Sequence, residues 1–150
     1  MSIQHIGAAG ELLVQYQLLK LGIDSARLTT DAGIDLVVYA PGDRSASTVQ
    51  VQANLGPKQA GGRGPLSRGW HFPHQCPAQL VALVALDTDT VWLFALNEAR
   101  EFATHQRPLG PGGHVRALPT AGCPGRRASR EMLMTPQVVE ALTAWSDRNR

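Results

Sequence analysis

Gly33-Ile34-Asp35-Leu36-Val37-Val38-Tyr39 and Thr48-Val49-Gln50-Val51-Gln52 read as two adjacent strands, the first carrying a single acid in an otherwise apolar run. A carboxylate in such a run requires a partner, because burying one unpaired is costly. Strand side chains alternate between faces, so Asp35, Val37 and Tyr39 share one face, and Gln50 and Gln52 share one face of the second strand. The connection Pro41-Gly42-Asp43-Arg44-Ser45-Ala46 is rich in turn formers and short enough for a hairpin. Antiparallel pairing around it sets Asp35 roughly opposite Gln52, with Gln50 beside them. An acid and two amides then converge on one spot. The bland reading of the same residues is an acid capping a turn after Gly33 and a solvated Gln-Val-Gln face.

Working outward, His5 to Leu21 reads as a helix with Gly22 at its C-terminal cap. Gly7, Glu11, Val14, Leu18 and Leu21 form one stripe. Ala9, Leu12, Leu13, Tyr16 and Leu19 form a nearly opposite one. A helix apolar on both sides is expected to be buried on both. One stripe covers the sheet and brings Glu11 toward Asp35, and the other meets a C-terminal helix or a second subunit.

Strands are expected at Ile34–Ala40, Ser47–Ala53, Gln79–Leu86 and Thr90–Leu96. The third is continuously apolar, as a central strand is. Leu55 to Gln75, rich in Gly and Pro, reads as a loop that Trp70 and Phe72 pin to the core. Asn97 is expected to cap a short helix reaching His105. The segment 107–130 holds Gly, Pro and Arg without apolar period and reads as flexible. Thr135-Pro136 opens a C-terminal helix over 135–148, with Val138, Val139, Leu142 and Trp145 on one face.

The order of these features resembles the PD-(D/E)XK nuclease superfamily, in particular the branch of Holliday-junction resolvases and Mrr-type restriction enzymes. The residues that carry the resemblance are Gly7-Ala8-Ala9-Gly10-Glu11 opening a helix, then Gly33-Ile34-Asp35-Leu36, then the strand around Val49 and Val51. It implies one domain over 1–150, α/β in class, with a restriction endonuclease-like mixed sheet of about four to five strands flanked by helices. It also implies a catalytic set of Glu11, Asp35, Gln50 and Gln52, in which Asp35, Gln50 and Glu11 hold Mg2+. The departure is at the second strand, where the family's Glu-x-Lys has become Gln50-Val51-Gln52. Mg2+ wants hard oxygen ligands, usually including carboxylates, and Gln50 removes one negative charge. A neutral Gln52 cannot stabilise the charge that develops on phosphorus, commonly the largest catalytic contribution. Lys58, Arg63 or His71 would have to supply the cation from the following loop.

The net charge of +2 does not describe a dedicated nucleic-acid clamp, but the distribution is uneven. Arg100, Arg107, Arg116, Arg126, Arg127 and Arg130 are opposed by a single acid, Glu101, before Glu131, and Lys58, Arg63 and Arg68 form a second acid-free patch. Clustered arginine is an electrostatic footprint of phosphate binding. Lys58, Arg63, Arg68, Arg126 and Arg127 are therefore the candidate nucleic-acid contacts, with DNA the expected partner. Cys76 and Cys123 read as free thiols in a reducing cytoplasm. His71, His74 and Cys76 lack a partner pair at zinc spacing. No stretch has the apolar length of a membrane span.

The leading expectation is a nuclease-fold protein that binds nucleic acid with a degenerate cleavage site. The alternatives are an active Mg-dependent endonuclease with a rearranged site, and a non-catalytic protein–protein or assembly module whose first helix forms a homodimer interface.

Overall fold

The computed structural model describes residues 1–30, 32–39, 46–59, 66–101, 103–106, 114–117, 132–135, 138, 139 and 142. Its elements are α1 (Ile3–Lys20), β1 (Asp24–Arg27), β2 (Leu36–Tyr39), β3 (Ala46–Asn54), β4 (Lys58–Gln59), β5 (Leu66–Ser67), β6 (Trp70–Pro73), β7 (Leu80–Ala85), β8 (Thr90–Ala95), α2 (Leu96–Glu101), β9 (Ala103–Gln106), β10 (His114–Ala117) and β11 (Met132–Met134).

Six strands form a mixed sheet in the order β1-β2-β3-β7-β8-β11. β1 pairs antiparallel with β2 and β2 antiparallel with β3, β7 lies parallel to β3, β8 antiparallel to β7, and β11 parallel to β8. The four expected strands are present. The sheet also holds β1 and β11, which are polar or very short and carry little periodic signal. The chain beyond Leu55 is not one loop: β4 pairs with β5, and β6 joins β10 and β9 in a three-stranded sheet of order β6-β10-β9. β10 lies within the segment read as flexible.

Two apolar layers flank the main sheet because its central strands are apolar on both faces. All six residues of β7 and all six of β8 are buried. One face carries Leu36, Val38, Val49, Val51, Ala82, Val84, Val91 and Leu93, packed with Val14 and Leu18 of α1. The other carries Val81, Leu83, Ala85, Trp92 and Phe94, packed with Trp70, Phe72, Cys76 and Ala99. Trp70 and Phe72 therefore pin β6 to the core, as expected from the sequence, and the Trp70 indole N–H donates to the Val84 carbonyl at 3.0 Å.

α1 begins at Ile3, two residues before the sequence reading, because the Ser2 hydroxyl accepts the His5 amide. Its end is as read. Gly22, at φ +73°, sends its N–H to Leu19, and Ile23 sends its own to Leu18, a Schellman closure that glycine permits without strain. Burial differs from the two-sided expectation. Gly10, Val14, Gln17 and Leu18 face the sheet, whereas Leu12, Tyr16 and Leu19 are more than half exposed. The helical residues Val138 and Leu142 join the sheet-side cluster with Val14 and Leu18 instead of covering that outer stripe. The rest of the expected C-terminal helix, Trp145 included, lies outside the described residues.

Gly10 sets the approach of α1 to β3. A Cβ built there would stand 2.5 Å from the Ala53 Cβ, an atom with no side-chain freedom to retreat. Helix propensity alone favours Gly10→Ala by up to about 1 kcal/mol. Overpacking costs about 1–3 kcal/mol, so the expected outcome is net destabilisation, read as a lowered midpoint of denaturant unfolding. A raised midpoint would refute the close contact.

Candidate cleavage site and nucleic-acid surface

Asp35 precedes β2 at the point where its ladder with β3 stops. The backbone register begins at Leu36 opposite Val49, and the Asp35 N–H still reaches the Val49 carbonyl at 2.9 Å. One rung further, the side chain replaces the backbone, and the Val51 N–H donates to Asp35 Oδ2 at 2.6 Å. The carboxylate thus sits against the residue between Gln50 and Gln52. Gly33, at φ +75°, makes the approach possible, and a Cβ there would press the Pro77 ring at 3.1 Å. The lone acid of the strand accordingly has a structural partner.

Gln50 and Gln52 share one face, as alternation requires, and it is the face away from α1. Their parallel partners Val81 and Leu83 belong to the apolar layer under β6 and α2. Gln50 is buried, and its Oε1 accepts the Cys76 thiol at 2.8 Å. It does not lie on a solvated face. Burial pushes the Cys76 thiol up from its ordinary value, and the nearby Asp35 charge adds to this, while the Ala78 backbone and Arg100 oppose it. Cys76 is therefore a neutral donor at physiological pH, not a thiolate nucleophile. Gln52 is half-buried on the same face, and Asn54 continues the row, its Nδ2 donating to the Gly69 carbonyl at 2.7 Å.

Glu11 meets a different partner. Its Oε2 accepts from Arg27 Nε of β1 at 2.6 Å. Arg27 pairs with Leu36, and residues opposite each other share a face, so this ion pair lies on the α1 side of the sheet. Sequence reasoning, which brought Glu11 toward Asp35, did not anticipate β1 or its arginine.

Two residues near the site escaped the sequence reading. Cys76 reaches Gln50 across a separation that no local pattern encodes. Arg100 donates from Nη2 to the His74 carbonyl at 2.6 Å, and its charge is felt at Cys76. Arg100 had been visible only as one arginine in a run.

A hard divalent ion is held by several oxygens with negative charge among them. Here Asp35 Oδ2 accepts an amide N–H, Gln50 Oε1 accepts a thiol, and Glu11 Oε2 accepts a guanidinium. These three groups do not form the open, doubly charged cradle that Mg2+ favours. Among the described residues, no three His, Cys, Asp or Glu side chains gather as a metal cluster.

Of the candidate phosphate contacts, Lys58 is exposed on β4. Arg68 is engaged, its two terminal nitrogens meeting Asp87 Oδ1 and Oδ2 at 2.5 and 2.7 Å. The fork ties the segment before β6 to the β7–β8 turn. Arg63, Arg126, Arg127 and Cys123 lie outside the described residues. The Arg68 guanidinium holds the Asp87 carboxyl below its usual range. A depressed acid stabilises the fold above its unfolded pKa and loses that contribution as pH falls through the folded value. Arg68→Ala should therefore cost about 0.2–1 kcal/mol near neutrality, as partly exposed pairs do. The difference from wild type should vanish in urea melts as pH drops below the ordinary Asp range near about 3.9.

The six-stranded mixed sheet, with α1 on one face and α2 on the other, is an open mixed α/β architecture. The bacterial homing endonuclease I-Ssp6803I shares it, with a TM-score of 0.53 over 85% of this chain and 84% of that one, at 14% identity. At that identity the likeness is one of fold. No family model matches the sequence, and no curated protein matches it. No described helix is long and apolar enough to cross a membrane.

Proposed function

We propose that this protein binds nucleic acid, DNA in particular, on a nuclease fold of PD-(D/E)XK type whose cleavage site has degenerated. Glu11, Asp35, Gln50 and Gln52 stand at the positions of the lost machinery. The observation that carries the reading is that the candidate ligand atoms are engaged within the protein. Asp35 closes a gap in the sheet ladder, and Gln50 is bonded to a buried neutral thiol. A reactive site instead keeps oxygens open for metal, water and phosphate. The endonuclease likeness and the acid-poor arginine-bearing segments support the nucleic-acid partner.

The test is a mobility-shift titration with duplex and branched DNA at low and moderate salt, with and without Mg2+. Binding should occur without metal, leave the DNA intact, and weaken steeply with salt, as phosphate contacts do. Mg-dependent cleavage would instead establish the active enzyme. Arg100 is the observation that favours this second reading, because its charge is felt at Cys76, whose thiol bonds Gln50. Cleavage abolished by Arg100→Ala would identify it as the replacement for the missing lysine. Absence of DNA binding in every condition would leave the protein–protein module.

A further inference from the structure

α1 carries a second seam that the fold leaves open. His5, Ala9, Leu12, Tyr16 and Leu19 follow one another at intervals of four, three, four and three residues, the spacing with which one helix meets another. The seam runs along the side of α1 turned away from the sheet. Gly10, Val14, Gln17 and Leu18 face inward, whereas Leu12, Tyr16 and Leu19 are 56%, 58% and 58% exposed. Ala8 and Ala9, one turn before Leu12, are half-buried, and their small side chains make the seam shallow there.

The polar groups around the seam are already engaged within the protein. Glu11 is paired with Arg27, Gln15 donates to the Ser25 carbonyl at 3.2 Å, and His5 Nδ1 lies 2.6 Å from the Ser2 hydroxyl. Lys20 holds its ammonium 5.3 Å from the centroid of the Tyr16 ring. The seam itself has no acid and no arginine, so an apolar surface suits it better than a charged one. Little of the chain is left to provide that surface. Among the described residues, Ala99 of α2 packs on the opposite face of the sheet, and Val138 and Leu142 join Val14 and Leu18 on the sheet side of α1. Outside the described residues the large apolar side chains are Phe102, Leu109, Leu118 and Trp145, no two of them in one segment. A seam of three large side chains has no counterpart there.

A second copy of α1 is such a counterpart, because the seam is complementary to itself. Tyr16 lies four residues after Leu12, and Ala8 and Ala9 lie four and three before it. Turned antiparallel about a two-fold axis at Leu12, each Tyr16 falls over Ala8 and Ala9 of the other copy. Large meets small twice, Leu12 meets itself at the axis, and Leu19 meets His5. Antiparallel helix dipoles favour the same arrangement. Parallel packing would instead set Tyr16 against Tyr16, alanine against alanine and Lys20 against Lys20. The 18 residues of α1 span about 27 Å, which places the contact at the small end of specific interfaces. The association is therefore reversible and depends on concentration.

We propose that the outer face of α1 is a self-association surface, on which two copies of this chain pack antiparallel through Leu12, Tyr16 and the Ala8–Ala9 step. It lies across the sheet from Gln50, Gln52 and Cys76, and it stands whether or not the protein binds nucleic acid.

The experiment is sedimentation velocity on the full chain from about 1 µM to about 500 µM. Wild type should pass from monomer to dimer within that range, as a small interface does. Leu12→Arg sets two guanidinium groups at the axis and should weaken association at least about 30-fold, the size of an interface hot spot. Leu12 is exposed in the single chain, so the melting of this variant in dilute solution should match wild type. Leu12→Glu should be monomeric as well. An equal mixture of the two charged variants should regain a one-to-one dimer, which a contact remote from the axis would not do. Tyr16→Ala, a milder change, should weaken association about tenfold and serves if the charged variants do not fold. A wild type that stays monomeric at the highest concentration overturns the surface, and if Trp145→Ala then dimerises, the chain's own last residues are the occupant. A dimer that survives Leu12→Arg, or charged variants that do not recombine, overturns it too.

Discussion

Replacing Trp70 by Ala is expected to lower stability by about 3–5 kcal/mol, the range for large aromatic truncations in a core. Trp70 is 2% exposed, packs edge-on against Trp92 with ring centroids 5.5 Å apart, and donates its indole N–H to Val84. The truncation opens a cavity between β6 and the β7–β8 pair and leaves the Val84 carbonyl without that donor. Trp70→Phe retains most of the packed volume and loses the hydrogen bond, so it should cost less, about 1–3 kcal/mol. Denaturant unfolding of both variants measures the split. A Trp70→Ala loss below about 1 kcal/mol would mean that β6 is not a part of the core.

The second large effect concerns Asp35. Its two substitutions separate structural duty from catalytic duty. Asp35→Ala removes the acceptor of the Val51 N–H and leaves a partly buried donor unmatched, which costs about 1–3 kcal/mol. Asp35→Asn keeps an oxygen in the same place and sacrifices only the charge assistance, roughly half the strength of the bond. Thermal melts should therefore rank wild type, Asn and Ala in that order. DNA affinity of Asp35→Asn should hold or rise, since one negative charge leaves the protein. Calorimetric titration with Mn2+ is the decisive control. If wild type binds the ion and Asp35→Asn does not, the carboxylate is a ligand and the degenerate-site proposal is wrong.

Asp35 illustrates how far local pattern reaches. Its isolation in an apolar run required a partner, and hairpin alternation set it opposite Gln52; the register with Leu36 opposite Val49 instead carries Asp35 toward Gln50, and the carboxylate meets the Val51 N–H. The partner itself, a backbone N–H that the ladder no longer serves, depends on where the β2–β3 register breaks. Propensity does not specify such a break. Gln50 is similar: alternation assigned it a shared face with Gln52, whereas its burial came with β6 packing on β3 and Cys76 meeting its amide. The two-sided helix failed for another reason. A stripe of Leu12, Tyr16 and Leu19 shows that a face is apolar and says nothing of whether any element arrives to cover it. Asn97 was read as a cap, yet α2 starts at Leu96 and the Glu98 carboxylate accepts the Ala95 N–H, so a residue inside the first turn does that work.

By itself the sequence determined the α/β class, the first helix with its glycine closure, the four central strands and the anchoring of Trp70 and Phe72. Each follows from interactions between residues close in the chain or from the period with which apolar side chains recur. Only the tertiary structure decided that β1 brings Arg27 to Glu11, that Cys76 meets Gln50, and that β6, β10 and β9 pair in a second sheet. Those juxtapositions are made by strand pairing between distant segments. Their order and register are chosen by burial of the whole core, a sum over many residues that no single stretch contains.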